Sequence, residues 1–217
     1  MITCGVDEAG RGPVIGPLVI CGLCADDVLL KELNVRDSKL LSPSRREKLY
    51  PEILKIANSY KIEMLKAEQI DELRKTMSLN EIEAMYFAKV ISSLEGEIFI
   101  VDAADVDENR FAETIKKYLD KNINIISKHK ADRDYPSVSA ASIIAKVTRD
   151  REIQKIKDEI GDFGSGYPAD PKTINFITQY YNKYGILPPY VRKSWKTLKN
   201  LITLDNYLDG DNYERTL

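Results

Sequence analysis

The 217-residue chain predicts an α/β domain layered on a mixed β-sheet, with a small helical element from about residue 164 onward. Three observations carry this. Strand-like segments come first and then alternate with helical ones, which is the pattern of helices packed on a sheet. Residues 14–25 and 97–102 are apolar runs suited to strands buried on both faces. The length allows one sizeable core and not two full domains. Strand order stays open at this level.

Residues 2–7 alternate, with Ile2, Cys4 and Val6 on one side and Thr3, Gly5 and Asp7 on the other. They run into Ala9-Gly10-Arg11-Gly12-Pro13, so a strand ends in a turn. Residues 14–25, rich in Val, Ile, Leu and Cys, predict a second strand paired with the first as a hairpin. Ser42-Pro43 sets an N-cap before a first-turn proline, opening a helix to about residue 60. Residues 61–67 then alternate like an edge strand.

Ser78-Leu79-Asn80-Glu81 reads as a capping box opening a helix through about residue 94. Residues 97–102 form a buried strand ending on Asp102, residues 105–119 a helix, and 123–127 a short strand. A long helix from Pro136 stops at Gly161. Gly164-Ser165-Gly166-Tyr167-Pro168 is a loop, and Asp170-Pro171 opens a helix through residue 184. Pro188-Pro189 breaks it, a last helix covers about 191–204, and the final dozen residues fray. The division is a main domain over 1–163 and a C-terminal helical element over 164–217.

Apolar residues at 43% and charged ones at 30% exclude a disordered or fibrous chain. The apolar run at 13–25 is too short for a bilayer span and no leader opens the chain, so a cytoplasmic protein without membrane contact is expected. Three cysteines argue against a disulfide framework and for a reducing compartment. Cys21 and Cys24 have C-x-x-C spacing, but only Cys4 and His129 remain to complete a zinc site, so they read as small strand residues. A net charge of −2 supplies no global basic field, and any nucleic-acid contact must be local.

Asp7 and Asp102 end strands and Asp132 follows a third, the region of an α/β sheet where sites collect. Their hard oxygens suit Mg²⁺ or Mn²⁺. Two such ions about 4 Å apart activate water and stabilise a leaving oxygen in phosphodiester cleavage. One histidine and no G-x-S-x-G elbow speak against the familiar triads. Singly, Asp7 also reads as a turn residue, Asp102 as a helix cap and Asp132 as a solvated charge.

Six blocks in register resemble ribonuclease HII. They are Asp7-Glu8-Ala9-Gly10-Arg11-Gly12, Asp37-Ser38-Lys39, Asp102, His129-Lys130-Ala131-Asp132, Ala140-Ala141-Ser142-Ile143-Ile144-Ala145-Lys146-Val147 and Gly164-Ser165-Gly166-Tyr167-Pro168. The resemblance spans almost the whole chain and is to the archaeal-like single-chain form. It implies a ribonuclease H-like fold and an endonuclease that hydrolyses the RNA strand of RNA–DNA hybrids and cuts on the 5′ side of single ribonucleotides in duplex DNA. The ends would be 3′-hydroxyl and 5′-phosphate, and the resemblance further implies a part in ribonucleotide excision repair and DNA replication. It also implies that Asp7, Glu8, Asp102 and Asp132 are the catalytic residues and hold two Mg²⁺ or Mn²⁺ ions, and that the protein is a monomer whose C-terminal element completes the substrate cleft. Successive strand residues face opposite ways, so Glu8 joins the ions only if the turn begins early or if it reaches them from the side.

Sensing a ribose requires contact with its 2′-hydroxyl. Gly10 and Gly12 either let the backbone approach a sugar or merely form a tight turn. The resemblance favours the first, with Arg11 beside the scissile phosphate and Tyr167 at the junction to the following deoxyribonucleotide. Ser139, Ser142, Lys146 and Arg149 share one helix face, which continues as Ile153, Ile156 and Ile160. That face either meets a phosphate backbone and then the core, or simply enters the protein late. By resemblance Ser142, Lys146, Arg149, Lys39 and Asn80 contact the substrate. Trp195 is expected to dock the last helix, with the charges around it solvated or on the backbone of a duplex.

Two other classes compete: a non-catalytic nucleic-acid-binding module, and another nuclease of the ribonuclease H superfamily. Intact acids at all four positions oppose the first, and the arginine of Gly10-Arg11-Gly12 the second. The tail lacks a glutamine-led motif ending in paired aromatics, so no sliding-clamp contact is expected.

Overall fold

The computed structural model describes residues 1–35 and 40–198. Its frame is a five-stranded mixed sheet of order β3-β2-β1-β4-β5. β1 (Ile2–Ala9) and β2 (Leu18–Asp26) form the expected antiparallel hairpin. β3 (Ala57–Leu65) pairs antiparallel along β2 and is an edge strand as its alternation predicts. β4 (Ile98–Asp102) runs parallel to β1, and β5 (Asn124–Lys128) parallel to β4.

Helices cover both faces. α1 (Asp27–Glu32), α2 (Pro43–Ile56), α3 (Ala67–Leu73) and α4 (Leu79–Ser92) lie between β2 and β4 in the chain, and α5 (Glu108–Lys116) crosses from β4 to β5. α6 (Ala131–Asp134), α7 (Pro136–Ile160) and α8 (Pro171–Tyr184) follow. Period-two alternation divides the strands between two cores. Cys4, Val6, Leu18 and Ile20 pack with Ile82, Phe87 and Phe111 of α4 and α5. Val19, Cys21 and Leu23 pack with Leu49 and Ile53 of α2 and with Ile143 and Ile144 of α7.

Several boundaries move for tertiary reasons. β2 starts at Leu18, because Val14 and Ile15 join Ile156, Phe163, Ile177 and Val191 in a third core. α2 ends at Ile56 because the next residues pair with β2, a long-range ladder that overrides helical spacing. α1, α3 and α6 are too short to leave a periodic signal. Residues 191–195 form a bridge to Ile15 and a turn, so the helix expected from about 191 starts only at 196, and the segment beyond 198 lies outside the described residues.

The expectation on cysteines is corrected. The hairpin register sets Cys4 directly opposite Cys24, and the structure joins them in a disulfide with Cα atoms 4.1 Å apart. Three residues along a strand reverse the face, so Cys21 lies in the other core and cannot share a metal with Cys24.

The reading of α7 is also reversed. Its first half is the buried half, with Ser137, Ser139 and Ser142 at most 1% exposed. Small side chains let it lie close on the sheet: a Cβ on Gly5 would stand 2.3 Å from the Ser137 carbonyl carbon. No described helix is long and apolar enough to cross a membrane.

Candidate active site

The parallel pairing of β1 and β4 ends at Val6 and Val101, so Asp7 and Asp102 follow side by side just past that ladder; Asp102 ends β4, whereas β1 runs two residues beyond Asp7, to Ala9, rather than stopping at the acid as expected. Asp7 is on the same face as Gly5 and looks toward α7, where Ser142 is its hydrogen-bond partner and Lys146 lies nearby. Lys146 Nζ in turn donates to Ser142 Oγ at 2.5 Å. β1 stays regular through Ala9, so Glu8 points to the opposite face. It therefore reaches the cluster from the side. Its amide donates to Asp7 Oδ1 at 2.7 Å.

Asp102 is held by a chain reversal after β5. Lys130 takes a left-handed conformation at φ 57°, and the Ala131 amide then donates to Asp102 Oδ1 at 2.9 Å. Asp132 is the next residue, 2% exposed in the first turn of α6 rather than on a strand. It does not line the cleft, although its chain neighbour Ala131 is bonded to Asp102.

The cleft has a volume of about 520 Å³ and is lined by Asp7, Glu8, Asp102, Lys146, Arg149 and Tyr167, among others. A hollow of about 600 Å³ lies at the opposite strand ends, lined by Leu94, Glu95, Glu97, Leu119, Asp120 and Ile123 among others. Burial, then repulsion from Glu8 and Asp102, holds the Asp7 carboxyl well above the usual carboxylate range. Burial and then Asp102 raise Glu8 as well, against the opposing pull of Arg11.

Such a cluster calls for a cation. Glu8 Oε2 is buried with no hydrogen-bond partner, and the donors are all hard oxygens, so the residues present fit a Mg²⁺ or Mn²⁺ site. Among the described residues no three acidic, histidine or cysteine side chains stand close enough to form a cage alone.

The turn after β1 is built from behind. Gly10 is left-handed at φ 92°, and a Cβ there would fall 2.2 Å from Arg149 Nε. Arg149, 8% exposed, donates to the carbonyls of Pro17 at 3.2 Å and Ile15 at 3.4 Å. Arg192, fully buried, donates to Gly10 O at 2.6 Å, Arg11 O at 3.0 Å and Gly16 O at 2.9 Å. Burial, then the nearby Arg149, lowers the Arg192 guanidinium to about 9, which leaves it charged at neutral pH. Trp195 Nε1 donates to Gly12 O at 3.1 Å, and its ring carries the Arg192 guanidinium 4.8 Å from the centroid.

The Arg11 side chain is pinned in the other direction. It pairs with Glu83, which is fully buried on α4, and its Nη2 donates to Asn80 Oδ1 at 2.6 Å. Asn80 also bonds to Asp105, whose carboxyl is held far below its ordinary range, first by Arg110. Across the cleft, Tyr167 packs its ring 3.2 Å from where a Gly12 Cβ would be.

The structure thus brings together Asp7, Glu8, Asp102, Gly10, Ser142, Lys146, Arg149 and Tyr167, and Asp132 is not among the residues that line the cleft. Asn80 holds Arg11, and Arg149 and Ser139 serve the backbone, Ser139 by donating to Val35 O. Lys39 lies outside the described residues. Sequence reasoning missed Glu83, Arg192 and the bond made by Trp195. The only signal for Glu83 was an acid on the apolar side of a helix. Arg192 and Trp195 had only their basic, aromatic context.

A family model for ribonuclease HII matches residues 4–198. The chain is 50% identical to the ribonuclease HII of Thermococcus onnurineus over 91% of this chain and 88% of that protein. It is similar to the crystal structure of ribonuclease H2 from Pyrococcus horikoshii, with TM-score 0.86, 47% identity, and 92% and 96% of the two chains covered. The ribonuclease HII in a PCNA complex from Archaeoglobus fulgidus aligns with TM-score 0.82 and 42% identity, over 90% of this chain and 96% of that one.

Proposed function

This chain belongs to the ribonuclease HII family, hydrolases acting on the RNA of RNA–DNA hybrids, and on that premise we propose a metal-dependent endonuclease that also cuts duplex DNA on the 5′ side of a single embedded ribonucleotide. The observation that carries this is the placement of Asp7 and Asp102 side by side just past the ladder of β1 and β4, with Glu8 entering from the side, in a cleft bordered by the Gly10 turn and Tyr167. Asp7, Glu8, Asp102 and Asp132 would hold two Mg²⁺ or Mn²⁺ ions. When bound, such ions supply an activated water and neutralise the charge on the leaving oxygen.

The protein's own groups do the rest. Ser142 and Lys146 orient the Asp7 carboxylate, and the Ala131 amide fixes the rotamer of Asp102. Lys146 supplies a positive charge beside the phosphate path. The turn at Gly10 to Gly12 meets the ribose, and Tyr167 offers a flat face to the sugar that follows. The C-terminal element completes this cleft through Ser165 and Tyr167.

The test is a labelled duplex with one ribonucleotide, incubated with Mg²⁺, with Mn²⁺ and with chelator. Cutting on the 5′ side of the ribonucleotide that requires metal, leaving a 3′-hydroxyl, is the expected result. A cut on the 3′ side, or none with either metal, would overturn the proposal.

A further inference from the structure

The carbonyls of Gly10, Arg11 and Gly12, three in succession, are all received by groups from one remote segment. Arg192 takes the first two and Trp195 the third. That segment is itself anchored. The amides of Lys193 and Ser194 donate to the two oxygens of Asp71 on α3, at 2.8 and 2.9 Å, and the Arg192 amide donates to Val14 O at 2.8 Å.

A trans peptide holds its C=O and the following N–H on opposite sides. Drawing the carbonyls of Gly10 and Arg11 toward Arg192 therefore turns the amides of Arg11 and Gly12 away from it; Gly10, at the head of the turn, borders the cleft with Tyr167. The third peptide strands no donor, because Pro13 has no N–H. Glycine at 10 leaves room for Arg149, and glycine at 12 for Tyr167. The turn, whose one side chain beyond Cα, that of Arg11, is drawn off to Glu83 and Asn80, is thus a donor surface held in one orientation.

We infer that Arg192 and Trp195 are positioning residues for ribonucleotide selection: they hold the Gly10-Arg11-Gly12 turn with its amides toward the ribose, and touch neither the substrate nor the reacting atoms. This rests on the proposed reading of the turn as the ribose sensor. Two amide donors at fixed spacing recognise a 2′-oxygen and find no partner on a deoxyribose, whereas affinity for the duplex backbone comes from charges elsewhere. Selection and general duplex affinity should then separate on mutation.

Two variants of the full chain test this. Arg192→Lys keeps the charge but cannot span three carbonyls, and Trp195→Phe keeps the ring beside Arg192 but loses the bond to Gly12 O. Thermal melts establish that each is folded. Affinity is measured in chelating buffer for two labelled duplexes of one sequence, all-DNA or with a single ribonucleotide.

The ratio of the two dissociation constants should narrow about tenfold in Arg192→Lys and about threefold in Trp195→Phe, from hydrogen bonds lost to the turn. The all-DNA affinity should stay within about twofold, since no phosphate-facing charge is altered. A wild-type ratio that persists in both variants, or a parallel loss of both affinities, overturns the inference while leaving the nuclease reading intact. A wild-type ratio of one would overturn the ribose-sensing reading, and the inference with it. Failure of the wild-type protein to cut the ribonucleotide duplex on return of either Mg²⁺ or Mn²⁺ would instead count against the nuclease reading.

Discussion

Replacing Gly5 with alanine tests the packing that sets Asp7 against α7. Gly5 lies two residues before Asp7 on the same strand face, and its added Cβ would stand 2.3 Å from both the Ser137 carbonyl carbon and the Val138 nitrogen. Those are backbone atoms of a helix buried along its first half, so no rotamer change relieves the clash. The contact is about 1 Å short of ordinary van der Waals distance, so strand and helix must separate by about that much. Overpacking of this kind costs about 3 kcal/mol, the upper end of the usual range, because rigid backbone must move. For a chain of this size that lowers the melting temperature by roughly 6–12 °C. The same displacement draws Asp7 away from Ser142 and Lys146, and a misplacement near 1 Å reduces turnover by roughly 100-fold. Calorimetry and cleavage of a duplex with one ribonucleotide provide the readouts. A variant melting within about 1 °C of wild type with full activity would refute the argument that this close approach sets the site.

Asp102→Asn keeps an acceptor for the Ala131 amide, so the fold should survive, while cleavage falls by more than the roughly 100-fold typical of losing a supporting partner at a metal site. In chelator it should melt no lower than wild type, because a like charge beside Asp7 and Glu8 is gone; a lower melting temperature would contradict the repulsion. Glu83→Gln leaves the Arg11 guanidinium without its buried anion. A destabilisation of about 1–3 kcal/mol is expected, moderated because the Arg11 side chain is 35% exposed, and a neutral result in denaturant melts would remove Glu83 from the support of the turn. Asp170 caps α8 and accepts from the Ser165 amide, which holds its carboxyl at about 2, below its ordinary 3.8. Because the folded value is depressed, its contribution is full above about pH 4 and disappears as pH falls through about 2. The melting difference between wild type and Asp170→Asn should shrink across that window, and a difference independent of pH would sink the assignment.

Much of the frame is legible from local pattern alone. Alternation in residues 2–7, the apolar run before Asp102 and the caps at Ser42, Ser78 and Asp170 each specify an element through neighbours a few residues away. Asp102 is legible for the same reason, since a carboxylate where an apolar strand stops is visible without any fold. Legibility fails where the deciding partner is remote. The ladder between β2 and β3 shortened α2, and the hairpin register made a disulfide out of Cys4 and Cys24.

By itself, then, the sequence determined a mixed α/β frame, the strand end that bears Asp102, and membership in a nuclease family, while β1 runs on past Asp7 to Ala9. Tertiary structure alone decided that Glu8 enters from the opposite face, that Arg149 supports backbone from a buried position, and that Glu83, Arg192 and Trp195 brace the turn. The bonds from Arg192 and Trp195 to that turn span more than 180 residues. Periodicity reports which side of an element is apolar, over a few residues. Which buried donor meets which carbonyl depends on how distant elements pack, and no local spacing encodes that.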